Sequence, residues 1–192
     1  MRIIVLAFSV ILLSVLAACA TLSKAQCQAG DWQNVGEFDG RMGYSFARFS
    51  EHSEACNKHG IAVDRDLYDK GYSKGLKLYC TPENAAKVGL AGKSYYNVCT
   101  GEMGKSFLRI HRQANNIYSI DNDIGSLQAQ IEALTENLAD PATSQTDRER
   151  IVDDIRSLND DISRKLRDRA REDAELRQVM LEEQTRLSYL KD

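Results

Sequence analysis

The sequence predicts a mainly α protein in two parts: a small disulfide-stapled helical module, then a long antiparallel helical hairpin of the coiled-coil kind. Three observations carry this reading. Cys27, Cys56, Cys80 and Cys99 all precede the middle of the chain or lie close to it. Around them, glycine and apolar residues recur at spacings of three and four, the period of a packed helix face. Beyond residue 104 there is no cysteine, charge is dense, and Ile and Leu alternate by three and four. With 192 residues, 28% charged and a formal net charge of -3, the chain suits one or two small domains and presents no strongly signed field for a polyanion.

The first element is a leader. Residues 1–18 carry one positive charge, Arg2, and an apolar run from Ile3 through Leu16 that ends in small residues. The run is shorter than the roughly 20 residues a spanning helix needs. Leu16-Ala17-Ala18-Cys19 resembles the lipobox of bacterial lipoproteins. The resemblance implies cleavage before Cys19 and acylation of that cysteine, and Ala20, standing where an aspartate would retain such a protein in the inner membrane, implies the outer membrane. Loss of Arg2 moves the net charge from -3 to -4. Several acyl chains, at roughly 0.8 kcal/mol per buried methylene, give stable attachment. Residues 19–26 then read as a short lipidated tether that keeps the fold near the lipid surface.

Residues 27–103 read as the cysteine module. Asp31 is expected to cap a short helix ending near Gly43; a second helix runs from about Tyr44 to Lys58 with Gly60 as its C′ residue; a third follows Asp64 into Cys80. Residues 82–99, rich in Gly, Ser, Asn and Tyr, read as loop or short strand. In an oxidising compartment the four cysteines form two disulfides, with three connectivities open. A turn near Gly43 brings the outer ends of the first two helices together and so favours Cys27 with Cys56 and Cys80 with Cys99. One continuous helix over 32–58 would hold its ends roughly 40 Å apart, far beyond the 7 Å or so that a bridge tolerates.

Three local patterns have sharper alternatives. Gly36-x-x-x-Gly40 and Gly71-x-x-x-Gly75 have the spacing of membrane helix dimers, but Glu37, Asp39, Lys70 and Lys74 point instead to close helix packing in a small core. His52, Cys56 and His59 share a helix face, yet oxidation of Cys56 removes a ligand, and no metal site is expected. Ser45, Ser50, Ser53, His52, Glu54 and Asp64 offer hydrolase residue types without a nucleophile elbow. No catalytic residue and no cofactor are therefore assigned.

Trp32-x-x-x-Gly36-x-x-Asp39-Gly40-x-x-Gly43, Ala55-Cys56-x-x-His59-Gly60, Tyr68-x-x-Gly71-x-x-x-Gly75-Leu76-x-x-Tyr79-Cys80 and Gly89-x-x-Gly92-x-x-Tyr95, with Val98-Cys99, resemble a family of proteobacterial envelope lipoproteins known as domain of unknown function 2799. The resemblance covers roughly Cys27 to Phe107 and implies a secreted, cysteine-bearing module with no assigned activity.

Residues 104–192 read as the hairpin. Ile117, Ile120, Ile124, Leu127, Ile131, Leu134 and Leu138 form one seam; Asp140-Pro141 ends it, and Thr146 or Asp147 is expected to cap the return helix, whose seam is Ile151, Ile155, Leu158, Ile162 and Leu166. Past Leu166 the stripe drifts through Ala170 and Ala174 to Leu176, Met180 and Leu187, so this end should pack differently, against the first module. The basic run Arg164, Lys165, Arg167, Arg169 and Arg171 is interleaved with acids and reads as a salt-bridged solvent face, not a nucleic-acid patch. The expected role is structural or adaptor-like. Its partners would be membrane lipid through acylated Cys19 and, through the hairpin, an envelope protein or a second copy. The alternative is a periplasmic enzyme, or a metal- or wall-binding module, with His52, His59 or His111 converging in a polar cleft of the cysteine module.

Overall fold

The computed structural model describes residues 21–190. The leader 1–18, Cys19 and Ala20 lie outside the described residues, as do the last two. Every regular element among the described residues is a helix. The chain divides into two compact units between Tyr79 and Cys80, not at the 103/104 boundary that composition suggests.

The first unit holds α1 (Lys24–Ala29), α2 (Trp32–Met42), α3 (Ala47–Asn57) and α4 (Arg65–Tyr79). The tether expected over 19–26 is folded from Thr21 onward. Ser23 and Gln26 form a reciprocal capping box at the start of α1, and Leu22 is buried. Gly43, at φ +69°, closes α2 in the left-handed conformation, and its N–H and that of Tyr44 return to the carbonyls of Gly40 and Asp39. Asp64 Oδ1 accepts the Leu67 N–H at 3.0 Å and caps α4.

Helices α2 and α4 run parallel and touch backbone to backbone. A Cβ at Gly36 would lie 2.9 Å from Tyr72 N, one at Gly40 2.9 Å from Leu76 N, one at Gly71 2.8 Å from Glu37 N, and one at Gly75 2.7 Å from Arg41 N. The two Gly-x-x-x-Gly motifs therefore face each other, and side chains there would force the helices apart. Around this contact Leu22, Cys27, Trp32, Cys56, Tyr68 and Tyr72 form the core, joined by Val35, Phe49, Ile61, Val63 and Leu76. Cys27 bonds Cys56 across α1 and α3, with their Cα atoms 5.4 Å apart.

The second unit holds α5 (Pro82–Leu90), α6 (Gly101–Ala139) and α7 (Gln145–Tyr189). The loop or strand expected over 82–99 is thus a helix in its first half. Thr81 Oγ1 accepts the Asn84 N–H at 3.1 Å, and Pro82 occupies the first turn, where its missing N–H costs nothing. Cys80 bonds Cys99, closing the segment that carries α5. Tyr95 stacks on Phe107 at 4.3 Å, and its hydroxyl accepts the Cys99 N–H at 3.1 Å. Gly89 lets α5 lie against α6, where a Cβ would meet the His111 carbonyl and Ala114.

Helices α6 and α7 form the antiparallel hairpin. Its turn is capped by Ser144, not by Thr146 or Asp147: Ser144 Oγ accepts the Asp147 N–H at 3.2 Å. Arg148 donates to the carbonyls of Leu138, Asp140 and Thr143, satisfying the end of α6.

Candidate functional site

Two arrangements stand out, one in each unit. In the first unit Asp39, the polar residue between Gly36, Gly40 and Gly43 on the packed face of α2, is buried, as is His52 on α3. Asp39 Oδ2 accepts the Tyr68 hydroxyl at 2.8 Å and lies 2.8 Å from His52 Nε2; His52 Nδ1 lies 2.7 Å from Thr21 Oγ1. A proton on Nε2 suits both imidazole contacts, donated to Asp39 while the Thr21 hydroxyl donates to Nδ1. Burial, then the hydrogen bond to Asp39 and its charge, raises the Tyr68 pKa far above its usual value, and burial together with Asp39 pushes Tyr72 up to about 12. The chain hydroxyl–imidazole–carboxylate has the composition of a proton relay, but its imidazole and carboxylate are only 3% exposed and are spent on holding Thr21 and Tyr68.

The other residues singled out as chemical candidates are dispersed. Cys56 is bonded to Cys27 and both His52 nitrogens are engaged, so His52, Cys56 and His59 do not form a ligand set. His59 is exposed. Ser53 donates to the Phe49 carbonyl, Ser45 O receives the Arg48 N–H, Glu51 pairs with Arg48, and Ser50 and Glu54 are exposed. His111 belongs to the second unit, with Nε2 2.7 Å from the Lys93 carbonyl.

In the second unit the hairpin changes character along its length. At its base, where α5 covers α6, Phe107, Ile110, Ala114 and Ile117 are fully buried, and Leu176 and Val179 of α7 close the layer. That end of α7 packs against residues of the segment 27–103, as expected, with Gln184 donating to Glu83 and Arg186 pairing with Glu102, while Ala170 and Ala174 are exposed. Glu183 is buried there, held by Arg109 at 3.0 Å and Arg186 at 2.7 Å. Burial alone would raise its pKa, but Arg186 and Arg109 outweigh it and hold the carboxyl below the usual range.

Further along, polar pairs flank the seam around buried Ile124: Gln113 and Asn116 donate to Glu172, Arg169 pairs with Asp121 at 2.6 Å, and Lys165 with Asp123 at 2.7 Å. The basic run is thus largely consumed, with Arg164 and Arg171 pairing back to Asp161 and Asp168. Leu166, expected in the seam, is 51% exposed. From Leu127 outward, among the described residues of this unit, the layer is the pair α6 and α7, and Leu127, Ile131, Leu134, Leu138, Ile155, Leu158 and Ile162 are each half-buried. Val152 is 43% exposed beside them.

Residues 31–116 match a family model, which takes in α2 to α5 and the base of α6. No curated protein and no solved structure matches the chain. The family whose model matches residues 31–116 is described as a protein of unknown function (DUF2799).

Proposed function

We propose that the protein is a periplasmic lipoprotein, anchored in the outer membrane through acylated Cys19, with a structural or adaptor role in which the outer half of the α6–α7 hairpin docks a helix of another envelope protein. The observation that carries this reading is the half-buried Ile and Leu seam beyond Ile124, with Val152 exposed beside it. An amphipathic helix with anchors at i, i+3, i+4 and i+7 fits such an edge. At 1.5 Å per residue α6 is about 58 Å long and α7 about 68 Å, so the arm offers several helical turns beyond its base. The leader and lipobox support the envelope location.

The test is a shortened arm. Replacing 126–162 with a short turn keeps Asp123–Lys165, Asp121–Arg169 and the whole base intact. Photo-crosslinking groups at exposed Ala129, Ala133 and Val152 of the full-length chain should capture one envelope protein reproducibly in cells. That protein should be lost from co-purification with the shortened chain, which stays in the membrane fraction. If the shortened chain retains the same partner, or the crosslinks join only copies of this chain, the adaptor role of the arm is wrong.

A further inference from the structure

Thr21 is built into the first unit. Its hydroxyl contacts His52 Nδ1, His52 is braced by Asp39, Asp39 is shared with Tyr68, and adjacent Leu22 lies in the core with Cys27 and Trp32. In the sequence only Ala20 separates Thr21 from Cys19. Two residues span at most about 7 Å, and the headgroup layer on each side of a bilayer is about 5–7 Å deep. A lipidated Cys19 therefore leaves Thr21 no farther out than the edge of the headgroups. The segment that would meet them is suited to an anionic surface: residues 21–30 carry Lys24 and no acid, in a chain of net charge -3.

We infer that the first unit rests directly on the lipid headgroup layer at its Thr21 end, clasped there by the Thr21–His52–Asp39–Tyr68 chain. This rests on the lipoprotein reading above. His52 and Asp39 act as positioning residues: they convert a lipid anchor, which fixes only a point, into one that also fixes the distance of the fold from the membrane.

Trp32, the single tryptophan of the chain, lies in the same buried cluster as Leu22 and reports that distance. The full chain, purified from membranes and reconstituted in phosphatidylethanolamine/phosphatidylglycerol vesicles, is mixed with headgroup-spin-labelled lipid, and quenching of Trp32 is read. Strong quenching is expected. Inserting about eight Gly/Ser residues between Ala20 and Thr21, roughly 16 Å of root-mean-square reach, should cut it by about half or more, whereas the same insert between Ala142 and Thr143 in the hairpin turn should not. The double variant Thr21→Gly, Leu22→Ser, which frees the segment up to Cys27 from the core, should fall between native and spacer. Quenching that is absent in the native chain, unchanged by the spacer, or as strong in the double variant as in the native chain overturns the clasp while leaving the anchor standing. Failure of the chain to carry lipid at Cys19 overturns the anchor itself and this inference with it.

Discussion

Gly71→Ala and Gly125→Ala put the same methyl group into two helix interiors, and the structure assigns them opposite signs. Each gains about 0.8–1.0 kcal/mol in helix propensity. At Gly125 nothing lies within 4 Å of the added Cβ, so the gain is realised. At Gly71 the Cβ would sit 2.8 Å from both Gln33 C and Glu37 N, and closer still to the Gln33 carbonyl oxygen. Those atoms are backbone, so no rotamer change relieves the clash, and separating α2 from α4 also loosens the contacts at Gly36, Gly40 and Gly75. Overpacking of this kind reaches about 3 kcal/mol, which leaves Gly71→Ala destabilising by about 2 kcal/mol and Gly125→Ala stabilising by about 1 kcal/mol. Urea unfolding with the disulfides intact separates the units, since Trp32 emission reports the first and far-ultraviolet ellipticity is dominated by α6 and α7. The Trp32 midpoint of Gly71→Ala should fall by on the order of 1 M. An unchanged or raised midpoint would refute the backbone contact between α2 and α4.

The two disulfides should act independently. Each closes a loop worth about 3–4 kcal/mol on a chain-entropy basis, but Cys27→Ser with Cys56→Ser should lower the Trp32 midpoint, whereas Cys80→Ser with Cys99→Ser should lower only the ellipticity transition; a shift of the Trp32 midpoint by the second pair would contradict the division at Tyr79/Cys80. Glu183 gives a pH dependence of known sign. Its folded pKa lies below 4.5, so its contribution is complete above that value and is lost as pH falls below it. The melting temperature of the hairpin should therefore decline in acid, and Glu183→Gln should flatten that decline while lowering stability near neutrality; an acid profile unaltered by the substitution would remove Glu183 from the account.

Much of the architecture was legible because it rests on local periodicity. Close helix packing at the glycine motifs follows from their spacing, the two disulfide pairings from a turn near Gly43, and the hairpin from its seams and Asp140-Pro141, and all are present. What was missed depended on competing local signals. The Thr81-Pro82 cap that starts α5 was outweighed by the Gly-, Ser- and Tyr-rich composition after it. The division at Tyr79/Cys80 arises because α5 packs on α6, a pairing that composition does not encode. The heptad pattern ends at Leu166, which is exposed where Lys165 and Arg169 beside it pair across the hairpin with Asp123 and Asp121. The Asp39–His52 pair left a trace: Asp39 falls seven residues after Trp32 and three after Gly36, a carboxylate on a buried stripe, which demands a partner. Thr21 left none, since a short polar stretch after a lipobox reads as tether.

The anchor is the claim on which both the envelope location and the clasp depend, and mass spectrometry of the mature N-terminal peptide tests it most directly. The expected peptide begins at Cys19, carries acyl chains on that residue, and loses both features in Cys19→Ser. A mature chain that retains residues 1–18, or that begins elsewhere without lipid, would contradict it.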